Sequence, residues 1–541
     1  MTSHVYCSSA HSEPVVDKVV GDLKWIKVSK TQTKNVKIIM NKSSTELERM
    51  LGGDDYNFMV ASKKRIFSKF PSMSTVCNKN FSGAIFNMAR KLGCPVSFVP
   101  PTYILPDDLK QVQKLFGEHQ DGKSGKKSRR RHRSTYIVKP VDGAQGDGIF
   151  LAQSFRDIEI NLCHNQSKKV VVQKYISSPM TIEGKKFDLR IYVLIRQFLP
   201  KLEIYLCEEG LVRLCSEKYI KPSDKNLKNL YSHLTNYSLN KHSENFDHND
   251  DVDKGSKRSL TSFYEYLEQE GIDADQLRIK LKTVAYNTGQ AIRPYIIHSC
   301  NKLFSACANG RSFQILGLDV LIETKMSGSF DVHLLEINSN PSVSIDDIVR
   351  PEKLTTLERE IQPSKKFWVS GVGLPCDCRN GAKGHLHRIS RVDLEVKKQV
   401  IGGAFAIISN KVNAQDSFYG LSYSRIEGIK EHPGFEILNA LRTKYEDLIG
   451  FSTRGKNFSW KPLSDFQFRR YAKDCLVGEN FSLLDASIIF SKAKEKHGSV
   501  DLFAFLDMVI YDILPRVIKA DVSDKKNAHL IFKNLGLQGS K

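Results

Sequence analysis

No run of about 18 apolar residues occurs in this chain of 541, so the sequence offers no membrane-spanning helix. Its start, MTSHVYCSSAHSEP, has no basic stretch followed by an apolar core, and no secretory signal is expected. The 11 cysteines lack a framework spacing, which predicts reduced thiols in the cytosol and excludes a small cross-linked scaffold. Also missing are an internal repeat, the G-x-x-x-x-G-K-[ST] order of a Walker loop, zinc-finger spacing and an aromatic–basic RNA-binding pattern. Sequence-specific nucleic-acid recognition is therefore not expected. Negative charge is in deficit: 60 Asp and Glu stand against 81 Lys and Arg, a net +21. Such a surface suits polyanionic partners, whether nucleic acid, an anionic membrane or an acidic protein.

Apolar content of 40% and charged content of 26% are ordinary for a globular protein. At roughly 150 residues per unit the chain has room for several. We expect a disordered stretch over 1–15, an N-terminal α/β subdomain over 16–100, a central subdomain over 101–180, a larger subdomain over 181–410, and a helical accessory region over 411–541. NVKIIM (35–40) and YNFMV (56–60) read as strands. Phe81, Ile85, Met88 and Leu92 recur at helical spacing. VSFVPPTYILPDDL reads as a strand, a Pro-bounded turn and a helix opened by Asp107 and Asp108. A Pro/Gly/Cys segment over 363–387 precedes a helix over 392–409. The tail has helical periodicity resembling a degenerate EF-hand pair, without a calcium loop.

Two local features leave alternatives open. The basic run KSGKKSRRRHR, in a loop spanning 122–134, carries Lys123, Lys126, Lys127, Arg129, Arg130, Arg131 and Arg133. It reads either as a solvated loop or targeting signal, or as a loop overhanging a site for acidic substrate. Cys376, Cys378, His385 and His387 have zinc-ligand chemistry, but C-x-C is tighter than the usual spacing and favours an unliganded loop.

Chemistry concentrates in four stretches. In YIVKPVDGAQGDGIFL a strand delivers Lys139 to a turn punctuated by Gly143, Gly146 and Gly148, where backbone N–H groups can approach an anion. VVVQKYI follows as a strand whose edge could hydrogen-bond a flat base. KFDLRIYVLI sets Lys186, Asp188 and Arg190 on one strand face. Asp319 of FQILGLDVLI, with Glu336 and Asn338 of DVHLLEINSNPS, provides oxygen ligands suited to Mg²⁺, which commonly also holds substrate phosphates. The combination reads as an ATP site. An antiparallel sheet with charged edges would show the same EIN triplet.

The stretches KPVDGAQGDGI, VVQKYI, KFDLRIYVL, EGLVRLCSEKY, HLTNYSLNKHS, GSKR, FQILGLDVLI and LLEINSNPS occur in an order that resembles the tubulin-tyrosine-ligase-like enzymes, over about residues 70–350. Within that family the chain is most similar to the glutamate-adding polyglutamylases. The resemblance implies an α+β ATP-grasp fold using ATP and Mg²⁺. It implies that Lys79, Lys139, Gln145, Gly146, Gln173, Lys174, Tyr175, Ile176, Lys186, Phe187, Asp188, Thr235 and Asn236 surround the nucleotide. Asp319, Glu336 and Asn338 would hold the metal. Arg213, Tyr237 and Lys257 would receive the incoming amino acid, and Arg190, with Lys139 and Lys186, would stabilise the transferring phosphoryl group. The implied partners are free L-glutamate and the acidic tails of tubulin or microtubules. A monomer is expected, with no membrane partner, in the cytoplasm and cytoskeleton and with cilium or flagellar basal body as a further place. Gln145 resembles the residue of chain-extending members; Ser339, where some of these have His, does not. A glycine-adding ligase and a non-catalytic microtubule-associated protein on the same fold are the alternatives.

Overall fold

The structure is a computed structural model. It describes residues 4–7, 14–28, 36–40, 44–52, 66–117, 134–143, 146–164, 169–241, 243–247, 249, 251–303, 311–349, 386–409, 419, 421–450, 462–518, 521 and 523–537. Strands β1 (His4–Cys7), β2 (Ile26–Val28), β3 (Val36–Met40) and β4 (Ile66–Ser68) are parallel to one another. The stretch expected to be disordered therefore supplies a strand, because backbone pairing with β2 and β3 satisfies its N–H and C=O groups. A helix, Pro14–Asp22, follows.

A smaller antiparallel sheet comes next, formed by β5 (Thr102–Leu105), β6 (Tyr136–Pro140), β7 (Phe150–Ala152) and β8 (Val170–Lys174) in the order β5-β8-β6-β7. The strand expected before Pro100 lies after it, at Thr102–Leu105, where β8 is available to pair. The glycine-punctuated element is the β6–β7 hairpin, as its sequence suggested. Residues 56–60 and the basic run 123–133 lie outside the described residues.

The rest of the large sheet is built from β9 (Thr181–Ile182), β10 (Lys185–Gln197), β11 (Glu203–Lys218), β12 (Lys257–Ser259), β13 (Ser312–Thr324), β14 (Phe330–Asn338) and a short strand, Tyr423–Arg425, that pairs with β11. β4 pairs in parallel with β13, so the N-terminal strands continue this sheet and do not form a separate one.

Period-2 alternation sorts the side chains of the long strands. Leu189, Ile191 and Val193 of β10, with Leu316, Leu318 and Val320 of β13, join the core that also contains Leu281, Val284 and Ile292 of the helix Ala274–Leu303. Tyr192, Leu194, Leu211, Phe313 and Ile315 face the other way, into a core with Val396, Val400 and Phe405 of the helix Arg391–Ile408. Burial on both faces explains why these strands read as nearly continuous apolar runs. On the second face, the same parity brings Lys186, Asp188, Arg190, Arg213 and Asp319 to one side of the sheet.

The tail forms helices Pro433–Leu448, Asp465–Tyr471, Leu483–His497 and Leu502–Met508. They join the first core, with the Phe503 ring 4.5 Å from that of Phe81.

Candidate functional site

Three strand registers converge on one charged cluster. Arg190 stands opposite Asp319 across β10–β13, Asp188 opposite Arg213 across β10–β11, and Asp319 opposite Glu336 across β13–β14. Arg190 donates from Nε and Nη2 to the two oxygens of Asp319. Arg213 donates to Asp188 at 2.7 and 2.6 Å, and its Nη2 lies 2.9 Å from Asp319 Oδ2. Thr235 Oγ1 donates to Asp188 Oδ2 at 2.6 Å. Both arginines leave Nη1 without a recorded partner among the described residues, so each keeps a donor for an incoming anion.

The two carboxylates at the centre shift in opposite directions. Burial opposes ionisation of Asp319, but Arg190 and Arg213 outweigh it and hold the group well below the usual range. Burial and the charge of Asp319 raise Glu336 above its ordinary value. Like charges forced together in this way are relieved by a shared proton or by a cation between them. Asn338 Nδ2 lies 3.3 Å from Glu336 Oε1, so the three oxygen-bearing side chains singled out in the sequence sit together. A bulge in β14 breaks the register between Asp319 and Val320. Beside it, the Leu335 carbonyl accepts from Lys139 Nζ at 3.3 Å.

A cleft runs from this cluster between the two sheets. Lys139, Lys186, Asp319 and Glu336 give it charged walls, and Ile137, Ile149, Tyr175, Ile176, Leu234 and Leu321 give it apolar ones. Gln173, Lys174, Asp188, His233, Thr235, Asn236 and Leu335 complete the lining. Lys139 donates to Gln173 Oε1 at 2.9 Å. Burial lowers its pKa, and Glu336 partly offsets this. Lys186 donates to Tyr175 Oη at 3.1 Å and to the His233 carbonyl at 2.8 Å, and burial brings it down to about 8. Lys79, at the start of the helix Lys79–Lys91, donates to the Pro140 and Gly143 carbonyls and so ties that helix to the hairpin turn.

Glycine is required at the hairpin tip. Gly146 has φ +89°, and a Cβ there would stand 3.5 Å from Asn236 Cγ. Gly148 has φ +67°, and a Cβ would lie only 2.8 Å from Pro140 Cγ. Gln145 lies outside the described residues, as do Cys376, Cys378 and His385.

Beyond Arg213, the Lys257 ammonium sits 4.3 Å from the Tyr237 ring centroid and is ion-paired with Asp393. Asp393 also holds Lys397 at 2.6 Å.

Not every expected residue lines the cleft: Lys79, Gly146, Arg190, Arg213, Tyr237, Lys257 and Asn338 are not among its lining residues, and Phe187 turns its side chain away from it. Phe187 alternates to the opposite face of β10, where its ring packs 5.0 Å from that of Phe263 in the core. Two residues were missed. His233 lines the cleft with Nδ1 3.1 Å from Tyr175 Oη, and burial and the Lys186 charge lower it to about 4. Its place two residues before Thr235 was the available signal. Asp393 was detectable only as the i, i+4 partner of Lys397 at the start of a helix.

A sequence model described as the tubulin-tyrosine ligase family matches residues 59–357. Tubulin polyglutamylase TTLL7 of Mus musculus is 36% identical over 285 residues, covering 51% of this chain and 29% of its own. Tubulin polyglutamylase TTLL11 of Homo sapiens is 38% identical over 290 residues, covering 52% and 38%. Tubulin polyglutamylase TTLL6 of Homo sapiens is 36% identical over 307 residues, covering 56% and 30%. The chain thus spans about a third of the length of the curated relatives it matches.

Proposed function

The chain belongs to the tubulin-tyrosine ligase family, and from that membership we propose that it is an ATP-dependent ligase joining free L-glutamate to glutamate carboxylates of tubulin tails, extending existing chains. The observation that carries the reading is the convergence of Lys139 and Lys186 with the Asp319–Glu336 pair in one cleft with the apolar side chains of Ile137, Ile149, Ile176 and Leu321. That arrangement suits a triphosphate against the charged side chains and a flat base against the apolar ones. The cleft between the small sheet and the large one is the nucleotide site of an ATP-grasp fold on this reading, with 411–541 as a helical accessory region.

The donor set fits Mg²⁺. Two carboxylates and an amide oxygen, with Glu336 pushed up by burial and by its neighbour Asp319, form a place that gains from a divalent cation. Asp319, Glu336 and Asn338 would hold it, and when bound it supplies positive charge to the phosphate oxygens.

A carboxylate resists attack by an amine because it is negative and oxide is a poor leaving group. Transfer of the γ-phosphoryl group to the acceptor carboxylate gives an acylphosphate. The amino group of free glutamate attacks its carbonyl carbon, the C–O bond to phosphate breaks, and phosphate leaves as an amide forms. In this chain Lys139 and Lys186 hold phosphate oxygens, and Lys79 keeps the glycine turn in place. On this reading the free Nη1 of Arg190 serves the transferring group, so charge developing there meets a donor whose guanidinium is already fixed by Asp319. Arg213 Nη1, Tyr237 and Lys257 receive the incoming glutamate. The enzyme acts as a monomer on microtubules in the cytoplasm, with cilia and basal bodies as further places of action.

The test is incorporation of labelled glutamate or glycine into purified microtubules by the purified chain. ATP-dependent incorporation of glutamate alone is expected. Incorporation of glycine, or of neither, would refute the reading.

A further inference from the structure

A cation outside this cluster stands at its rim. Lys69 directly follows β4 and has φ +151°, a conformation strained for a side-chain-bearing residue. Its Nζ donates to Asn340 Oδ1 at 2.8 Å. Asn340 lies two residues beyond Asn338, on the turn whose Pro341 approaches the Arg190 side chain across Gly317; a Cβ on that glycine would be 3.0 Å from both. Gln314 fixes the two segments together: its Oε1 accepts from the Phe70 N–H at 3.2 Å, and its Nε2 donates to the Ser339 carbonyl at 2.5 Å. Strain and bracing thus keep Lys69 beside the turn that follows the carboxylate pair.

Among the described residues no carboxylate pairs with Lys69, and desolvation by the surrounding protein lowers its pKa to about 8. The other cations near the turn are engaged: Arg190 with Asp319, Arg213 with Asp188 and Asp319, and Lys139 with Gln173 and the Leu335 carbonyl. Lys69 has only a neutral amide. A partly desolvated ammonium without a counter-charge favours an anion from outside.

Resting on the ligase reading, we propose that Lys69 is a specificity residue for the acceptor: it binds the carboxylate of the acceptor's terminal glutamate that is not being activated. A chain-terminal glutamate carries two carboxylates a few bonds apart. Phosphorylating one brings further negative charge next to the other, and Lys69 supplies the opposing charge at the turn rather than at the nucleotide. This favours acceptors that already end in glutamate, which is what chain extension requires.

The test uses the full chain and two synthetic acidic-tail peptides. One ends its side-chain branch in free glutamate; the other has the non-reacting carboxylate of that residue converted to an amide. Wild type should show a KM for the diacid about tenfold below that for the amide, as for one hydrogen bond to a charged group. Lys69→Met should raise the diacid KM to that of the amide and leave KM for ATP and for the amide unchanged, while Lys69→Arg should keep most of the preference. Absence of a diacid preference in wild type, or its persistence in Lys69→Met, overturns the assignment and leaves the ligase reading standing. If wild type binds ATP but joins glutamate to neither peptide nor to tubulin, the ligase reading itself fails, and this inference with it.

Discussion

Arg190 and Asp319 occupy opposed positions of the antiparallel β10–β13 pair, and their side chains form a two-point ion pair in a buried setting. The same carboxylate serves Arg213 at 2.9 Å. Removing it leaves the desolvated Arg190 guanidinium without its counter-charge and Arg213 with Asp188 alone, which costs far more than loss of an exposed pair would. Asp319→Ala should therefore destabilise the fold by about 3 kcal/mol or more, read from denaturant unfolding. A loss under about 1 kcal/mol, the size of a surface pair, would contradict the geometry.

Glu336 makes a different prediction. Its raised pKa, from burial and from Asp319, means the free site tolerates a neutral group there. Glu336→Gln should leave stability nearly unchanged and yet lower ligation by at least about a hundredfold, because a negative oxygen ligand is lost. Wild-type turnover in the purified variant would remove Glu336 from the metal set.

Lys186 should announce ATP through protons. Burial lowers its pKa to about 8, and the charge of Lys139 pushes the same way. A triphosphate stabilises the charged form, so its pKa rises on binding. At pH 8.5 ATP binding should take up a proton that is missing in Lys186→Met, and at pH 6.5 uptake by this group should vanish because Lys186 is already charged. Calorimetry in buffers of different ionisation enthalpy measures this. Proton release at pH 8.5 would contradict it.

His233 links the cleft to acid stability. Its pKa falls from 6.5 to about 4 on folding, through burial and then the Lys186 charge. Between those values the unfolded chain binds the extra proton, so this contribution is full above pH 6.5 and lost as pH falls towards 4. The share amounts to at most about 3 kcal/mol. His233→Gln should flatten the decline in unfolding free energy across that window; parallel profiles for variant and wild type would refute the linkage.

The sequence carried much of this site because strand parity is visible in it. Lys186, Asp188 and Arg190 could be assigned to one face from spacing alone, and the structure has them there. Parity also turns Phe187 away, although its neighbours on both sides belong to the cleft. What spacing does not reveal is who pairs with whom across the sheet: Arg213 meets Asp188 through the register of the β10–β11 hairpin and Asp319 from β13, far along the chain. Asp393 joins Lys257 from 136 positions away. Lys69 carries no motif that marks it, since its significance lies in the turn at Asn340 against which it is held. The N-terminal strand His4–Cys7 was hidden because so short a segment is defined by its parallel partners and not by its own composition.

The central claim is that this chain activates a carboxylate by phosphoryl transfer before an amine attacks it. An acceptor peptide labelled with ¹⁸O in its glutamate carboxylates tests this directly, with mass analysis of the phosphate released during glutamate addition. The account predicts one acceptor oxygen in inorganic phosphate for each glutamate joined, since the C–O bond of the acylphosphate is the one that breaks. Inorganic phosphate free of the label, or label appearing in AMP, would contradict it.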